Sequence, residues 1–188
     1  MKSTIIALAI LALISLSCDS TDPYVHEPRF DKNVSTVFGF KTASQTLEGM
    51  APDFTWKDSN GVLRSLSDLR GKIILVNLWA TWCEPCLFEM PTLDDIAKDF
   101  SKDSVVVIGV SIDQEGDVYN RIVGYHRDRG LRFQVISDFG MDVYHAYMGT
   151  RTISIPQTFI VDRDGSLYVQ LTGPQQYDEF ATYIRELI

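Results

Sequence analysis

The sequence predicts an α/β domain, a mixed β-sheet flanked by helices with a β-hairpin added on its N-terminal side. Three observations carry that expectation. "KIILVNLWA" (Lys72–Ala80) and "SVVVIGVSI" (Ser104–Ile112) are nearly continuous apolar runs of the kind expected for strands buried on both faces. Apolar residues at helical spacing follow each run, so the order is strand, helix, strand, helix. Farther on, "TFIVD", the turn "DRDG" and "SLYVQLTG" form an antiparallel hairpin, which makes the sheet mixed.

In chain order, the first residues look like an address label. Lys2 gives a positive start, "IIALAILALI" (Ile5–Ile14) is apolar, and small polar residues lead to Cys18, so residues 1–17 are expected to be a signal peptide and the mature chain to be exported. The uncharged stretch from Ser3 to Ser17 would reach only about 22 Å as a helix, against a hydrocarbon core of about 30 Å, which is short for a spanning anchor. Cys18 after "SLS" resembles the lipobox of bacterial lipoproteins, with Ser15 where that pattern usually has Leu; the resemblance implies lipidation of Cys18 and a membrane anchor. Residues 18–50 carry Pro23, Pro28, scattered charge and no sustained period, and are expected to be a tether, with "STVFGF" able to pair onto a sheet edge.

From residue 51 to 188 the signals sharpen into one domain. "FTWKDSNGVLRSL" has two short runs around Asn60–Gly61, the expected hairpin. After the first buried strand, Leu93, Ile96, Ala97 and Phe100 mark a helix; Val118, Ile122 and Tyr125 mark a second, and Tyr177, Phe180, Ile184 and Leu187 a closing one. The 188 residues carry 45% hydrophobic and 22% charged residues and a formal charge of −8, becoming −9 once Lys2 is removed with the leader. A net negative surface has few counterions to release from nucleic acid, so neither DNA nor RNA is an expected partner.

Two of the three cysteines lie three apart in "NLWATWCEPCLFEMP", and their chemistry has several readings. Zinc wants four ligands, whereas Cys83, Cys86 and three dispersed histidines (His26, His126, His145) do not make a closed site. Haem attachment wants a histidine after the second cysteine, where Leu87 stands. A structural staple over so short a loop removes little entropy from the unfolded chain. A redox pair fits better. The strand delivers the chain to Cys83 at a helix N-terminus, where orphan amide donors and the dipole favour a thiolate, and Cys86 lies one turn on along the same face. Pro85 suits the first helical turn because no donor is needed there.

"WATWCEPC", the strand before it and "IPQTFIVDRDG" resemble the thioredoxin superfamily, and within it the exported thiol-disulfide oxidoreductases of the TlpA/ResA group, over about residues 51–188. The resemblance implies a thioredoxin-like sheet, an exposed nucleophile at Cys83 and a partly buried resolving thiol at Cys86. It implies a cis-proline at Pro156, packed on the disulfide, with the backbone of Ile155 free to pair with a substrate chain; Trp82 and Pro85 would share that contact face. Gln157 departs from the pattern that usually follows the proline. Asn77 stands where thioredoxin has a buried acid, so Glu84 is the expected carboxylate for proton handling. Such a neighbour disfavours the thiolate and shifts the couple toward a reductant. The implied activity is reduction of disulfides in exported proteins, for example in cytochrome c maturation, with a membrane electron donor and no cofactor.

Two other functions compete. The chain also resembles peroxiredoxins, but those place a threonine three residues before the peroxide-reacting cysteine, where this chain has Ala80; Thr81 is one residue off. A Cu(I) carrier is the non-enzyme alternative, since two thiolates hold soft copper. Asp113, Glu115 and Asp117 alternate like calcium ligands without the glycine and distal glutamate of a calcium hand, and are expected in a solvated loop.

Overall fold

In the computed structural model the described residues are 34–40 (backbone only), 49–58, 60–149 and 152–188. The leader, Cys18 and most of the expected tether lie outside them. Among the described residues eight strands form one sheet in the order β3-β2-β1-β6-β5-β4-β7-β8. They are β1 (Val34–Phe40), β2 (Phe54–Lys57), β3 (Leu63–Ser65), β4 (Ile73–Trp79), β5 (Val105–Ser111), β6 (Gln134–Ser137), β7 (Gln157–Val161) and β8 (Leu167–Thr172). Among the described residues four α-helices accompany them: α1 (Glu84–Asp99), α2 (Val118–Arg129), α3 (Asp142–Met148) and α4 (Tyr177–Leu187).

β4 is central and buried along its whole length, as its unbroken apolar run requires. It pairs parallel with β5 and antiparallel with β7, so the sheet is mixed. The β4–α1–β5 and β5–α2–β6 crossovers step the same way along the sheet, and right-handed connections therefore set α1 and α2 on one face. Arg132, just beyond α2, pairs with Asp94 of α1 across that layer.

The hairpin expected at Asn60–Gly61 is β2–β3, pairing Lys57 with Leu63. Its loop is held by Asp58, whose carboxylate accepts the N–H groups of Asn60 and Val62, while Gly61 takes a left-handed φ of 74°. β1 joins this hairpin to the main sheet, antiparallel to β2 and parallel to β6. Tyr147 of α3 closes the same corner: its ring packs on Phe54 and Phe159, and its hydroxyl donates to the Pro52 carbonyl at 3.0 Å.

β6 and α3 had no counterpart among the expected elements. β6 is only four residues long, and α3 starts from Met141 in a left-handed conformation (φ 57°), with the buried Asp138 carboxylate capping it through the N–H groups of Asp142 and Tyr144. Long-range placement and a side-chain cap, not periodicity, define both.

Candidate active site

The site forms where β4 and β5 end and β7 begins. Leu78 pairs with Gln157, Trp79 pairs with Ser111, and the Ile112 N–H continues the ladder to the Trp79 carbonyl at 2.9 Å. Crevices at such strand ends suit ligands because the chain can diverge there. β4 therefore delivers residues 80–83 to the start of α1 opposite the 152–156 segment.

Cys83 and Cys86 are joined by a disulfide, with Cα atoms 5.3 Å apart. Cys83 is the N-cap of α1, and its Sγ accepts the Cys86 N–H at 3.3 Å. A thiolate at that position would face unpaired amides and the positive end of the helix, both of which favour it. Cys83 is 6% exposed and Cys86 1% exposed. The expectation of an open Cys83 is thereby corrected: in the disulfide it is nearly covered, although it remains the more accessible of the two. Part of the cover is the 152–156 segment, whose Ile155 carbonyl oxygen lies 3.8 Å from Cys83 Sγ. The Ile155–Pro156 peptide is cis, with Pro156 buried and Ile155 half-buried.

Around this junction Trp82 is 57% exposed and Pro85 is exposed, whereas Trp79 is fully buried against Tyr125. Gly109 makes room for that indole, since a Cβ there would sit 3.1 Å from Trp79 Nε1. Gln157 is buried: its side-chain oxygen accepts from Gln170 and Thr172 of β8, and its amide donates to the Ser154 hydroxyl at 3.2 Å. The departure at Gln157 thus ties β8 to the segment carrying the cis-proline.

The carboxyl inside the site is Glu89, which the sequence reading passed over. Glu84 lies exposed at the first position of α1. Glu89 is 1% exposed, one turn beyond Cys86 on the same face. One of its oxygens accepts from Asn77 Nδ2 at 2.9 Å and the other from the Gln175 N–H at 2.8 Å. Burial pushes its pKa up to about 7, against the opposing pull of those two hydrogen bonds. Asn77 also donates to Thr158 Oγ1, so the position expected to lack an acid borrows one from α1. The signal was present: Cys86, Glu89, Met90, Leu93 and Ile96 share helical spacing and all are buried.

A second correction concerns the acidic run. Glu115 and Asp117 are exposed, but Asp113 is fully buried and accepts hydrogen bonds from Thr81 and Ser111. Thr81 is two residues before Cys83, so Asp113, expected in a solvated loop, instead supports the loop that carries the site. His126 is buried, paired with the Phe133 carbonyl, and His145 is exposed; His26 lies outside the described residues.

Comparison with known proteins agrees with this geometry. Residues 47–170 match the AhpC/TSA family profile. The thiol-disulfide oxidoreductase ResA of Bacillus thuringiensis (strain Al Hakam) is 30% identical over 138 residues, which cover 73% of this chain and 76% of that protein. Among solved structures, a thiol:disulfide interchange protein of the thioredoxin family from Chlorobium tepidum TLS superposes with a TM-score of 0.65 at 22% identity, covering 76% of this chain and 98% of its own. The thioredoxin domain of a thiol-disulfide oxidoreductase from Bacteroides vulgatus gives 0.59 at 25% identity, covering 74% and 99%. The chain belongs to the AhpC/TSA family and, within the thioredoxin superfamily, to the thiol-disulfide oxidoreductases of the ResA type.

Proposed function

We propose that the protein reduces disulfides in exported proteins through Cys83 and Cys86. The observation that carries this reading is the Cys83–Cys86 disulfide at the start of α1, facing the cis-Pro156 segment and one helical turn before the buried Glu89. In the reduced protein, the Cys83 thiolate attacks one sulfur of a substrate disulfide. The substrate S–S bond breaks, a mixed disulfide forms, and the first substrate thiolate leaves and takes a proton. Cys86, giving its proton to Glu89, then attacks Cys83 Sγ; the bond from Cys83 to the substrate breaks, the second substrate sulfur departs as a thiolate that takes up the proton held by Glu89, and the Cys83–Cys86 bond closes. Two electrons and two protons pass to the substrate.

A pKa near 7 suits Glu89 to exchange a proton at neutral pH. Glu84 acts from the exposed helix start as a negative neighbour that opposes the thiolate. Trp82, Pro85 and the Ile155 backbone form the contact surface for the substrate chain. The leader, lipidation at Cys18 and recharging by a membrane electron donor complete the proposal, because a reductant in an oxidising compartment has to be reduced again. Among the described residues no helix is long and apolar enough to cross a membrane.

The peroxidase reading is weakened by Ala80, buried and apolar where a threonine hydroxyl would be wanted, and by Thr81, whose hydroxyl is given to Asp113. The test is the reduction potential together with peroxide turnover and copper content of the reduced protein. The reductant reading expects a potential nearer that of thioredoxin (about −270 mV) than that of the oxidant DsbA (about −120 mV). Rapid peroxide turnover, or stoichiometric copper without disulfide exchange, would replace it by one of its rivals.

A further inference from the structure

Asp113 is a fully buried acid beyond the end of β5, and the proposed reaction does not use it. Its Oδ2 accepts the Thr81 N–H at 2.9 Å and the Ser111 hydroxyl at 2.6 Å. Its Oδ1 accepts the Thr81 hydroxyl at 2.6 Å. Ser111 Oγ in turn accepts the Asp113 N–H at 3.3 Å, which directs its own proton toward the carboxylate. Among the described residues no lysine, arginine or histidine forms an ion pair with Asp113. The charge is thus met by hydroxyl and amide donors alone, and two of the three belong to Thr81, in the loop that ends at Cys83.

A loop can be pinned without burying a charge, so the acid invites an electrostatic reading. A hydrogen-bonded but unneutralised carboxylate in a weakly screened interior acts on groups several ångströms away. The reacting group in the loop that Asp113 holds is Cys83, two residues beyond Thr81, whose thiolate is favoured by the helix start and disfavoured by a negative charge. Disfavouring the thiolate weakens the reduced state of the pair and makes it give up electrons more readily.

We propose that Asp113 is a positioning residue of the redox centre: it fixes the Thr81–Cys83 loop and, through its buried charge, biases the Cys83–Cys86 couple toward disulfide formation. The proposal rests on the reading of Cys83 and Cys86 as the reacting pair. The other carboxyls beside that pair, Glu84 and Glu89, both lie on α1, Glu84 exposed at its start and Glu89 hydrogen-bonded to Asn77 and Gln175 rather than to Thr81 or Ser111.

Asp113→Asn separates charge from geometry. An amide oxygen at the Oδ2 position keeps the Thr81 N–H and Ser111 hydroxyl bonds, and the amide nitrogen at the Oδ1 position donates to Thr81 Oγ1, which accepts equally well. Thr81→Val is the companion: it leaves the charge and the backbone contact but removes the hydroxyl that partly satisfies the charge. Thiolate absorbance against pH and equilibration with dithiothreitol are measured on wild type and both variants.

The expected result is opposite movement. Asp113→Asn lowers the Cys83 titration midpoint and shifts the dithiothreitol equilibrium toward the reduced protein by roughly three- to tenfold. Thr81→Val raises the midpoint. Unchanged values in both, or movement in the same direction, would assign Asp113 a purely mechanical role and overturn the proposal; should Asp113→Asn not fold, a lowered or unchanged midpoint in Thr81→Val does so alone. A wild-type disulfide inert to dithiothreitol would overturn the reading of the pair itself, and this inference with it. Normal wild-type exchange with unmoved variants would sink only the role given to Asp113.

Discussion

Glu89 carries a charge balance that can be read as stability. Its carboxyl ordinarily titrates near 4.5 and in the fold near 7, because burial outweighs the hydrogen bonds from Gln175 and Asn77. Between those values the native protein holds a proton that the unfolded chain has lost. Its contribution to stability is therefore full below about pH 4.5 and falls as pH rises toward 7, by roughly 3 kcal/mol at most. Glu89→Gln should flatten that window, since a flip of the Asn77 amide supplies the acceptor its new amide needs. Urea unfolding of the oxidised protein at pH 4.5 and 7.5 measures the difference; an equal pH dependence in both proteins would remove Glu89 from the account. Glu84→Gln acts differently because that side chain is exposed. It is expected to lower the apparent thiol titration point and make the couple more oxidising, and an unchanged thiolate absorbance curve would leave Glu84 as a simple helix-start charge.

The elements show which parts of the fold a linear pattern can express. β4, α1, β5 and β7 were legible because their residues are buried according to their own period: seven consecutive buried positions in β4, five in β7, and Leu93 and Ile96 facing inward on α1; β8, with no fully buried residue, was legible from the turn that joins it to β7. β6 was not, because its apolar pair Val135–Ile136, set between Gln134 and Ser137, is too short a run to stand out; α3 was not, because Asp138 and the left-handed Met141 start it. Site residues followed the same division. Cys83, Cys86 and Pro156 announce themselves by motif, whereas Glu89 and Asp113 matter only through partners far along the chain, Gln175 for one and Thr81 for the other. Gly109 tests the packing of β5 on the site-bearing strand. Gly109→Ala puts a methyl 3.1 Å from both Trp79 Nε1 and the Phe133 ring, so a loss of about 1–3 kcal/mol is expected in urea unfolding, and none would mean that the indole yields freely.

At the scale of the whole molecule, three separate segments meet at one end of the sheet: the chain leaving β4, the acid beyond β5 and the cis-Pro156 segment before β7. A disulfide held there is covered yet sits beside exposed Trp82 and Pro85, an arrangement suited to a partner that brings its own sulfur. The most direct test uses Cys86→Ser in its reduced form, mixed with a disulfide-bonded peptide and examined by intact mass and peptide mapping. The expected result is a stable adduct of one peptide sulfur on Cys83, absent from Cys83→Ser. No adduct, or an adduct that survives the Cys83→Ser change, would contradict the central claim that Cys83 is the attacking sulfur.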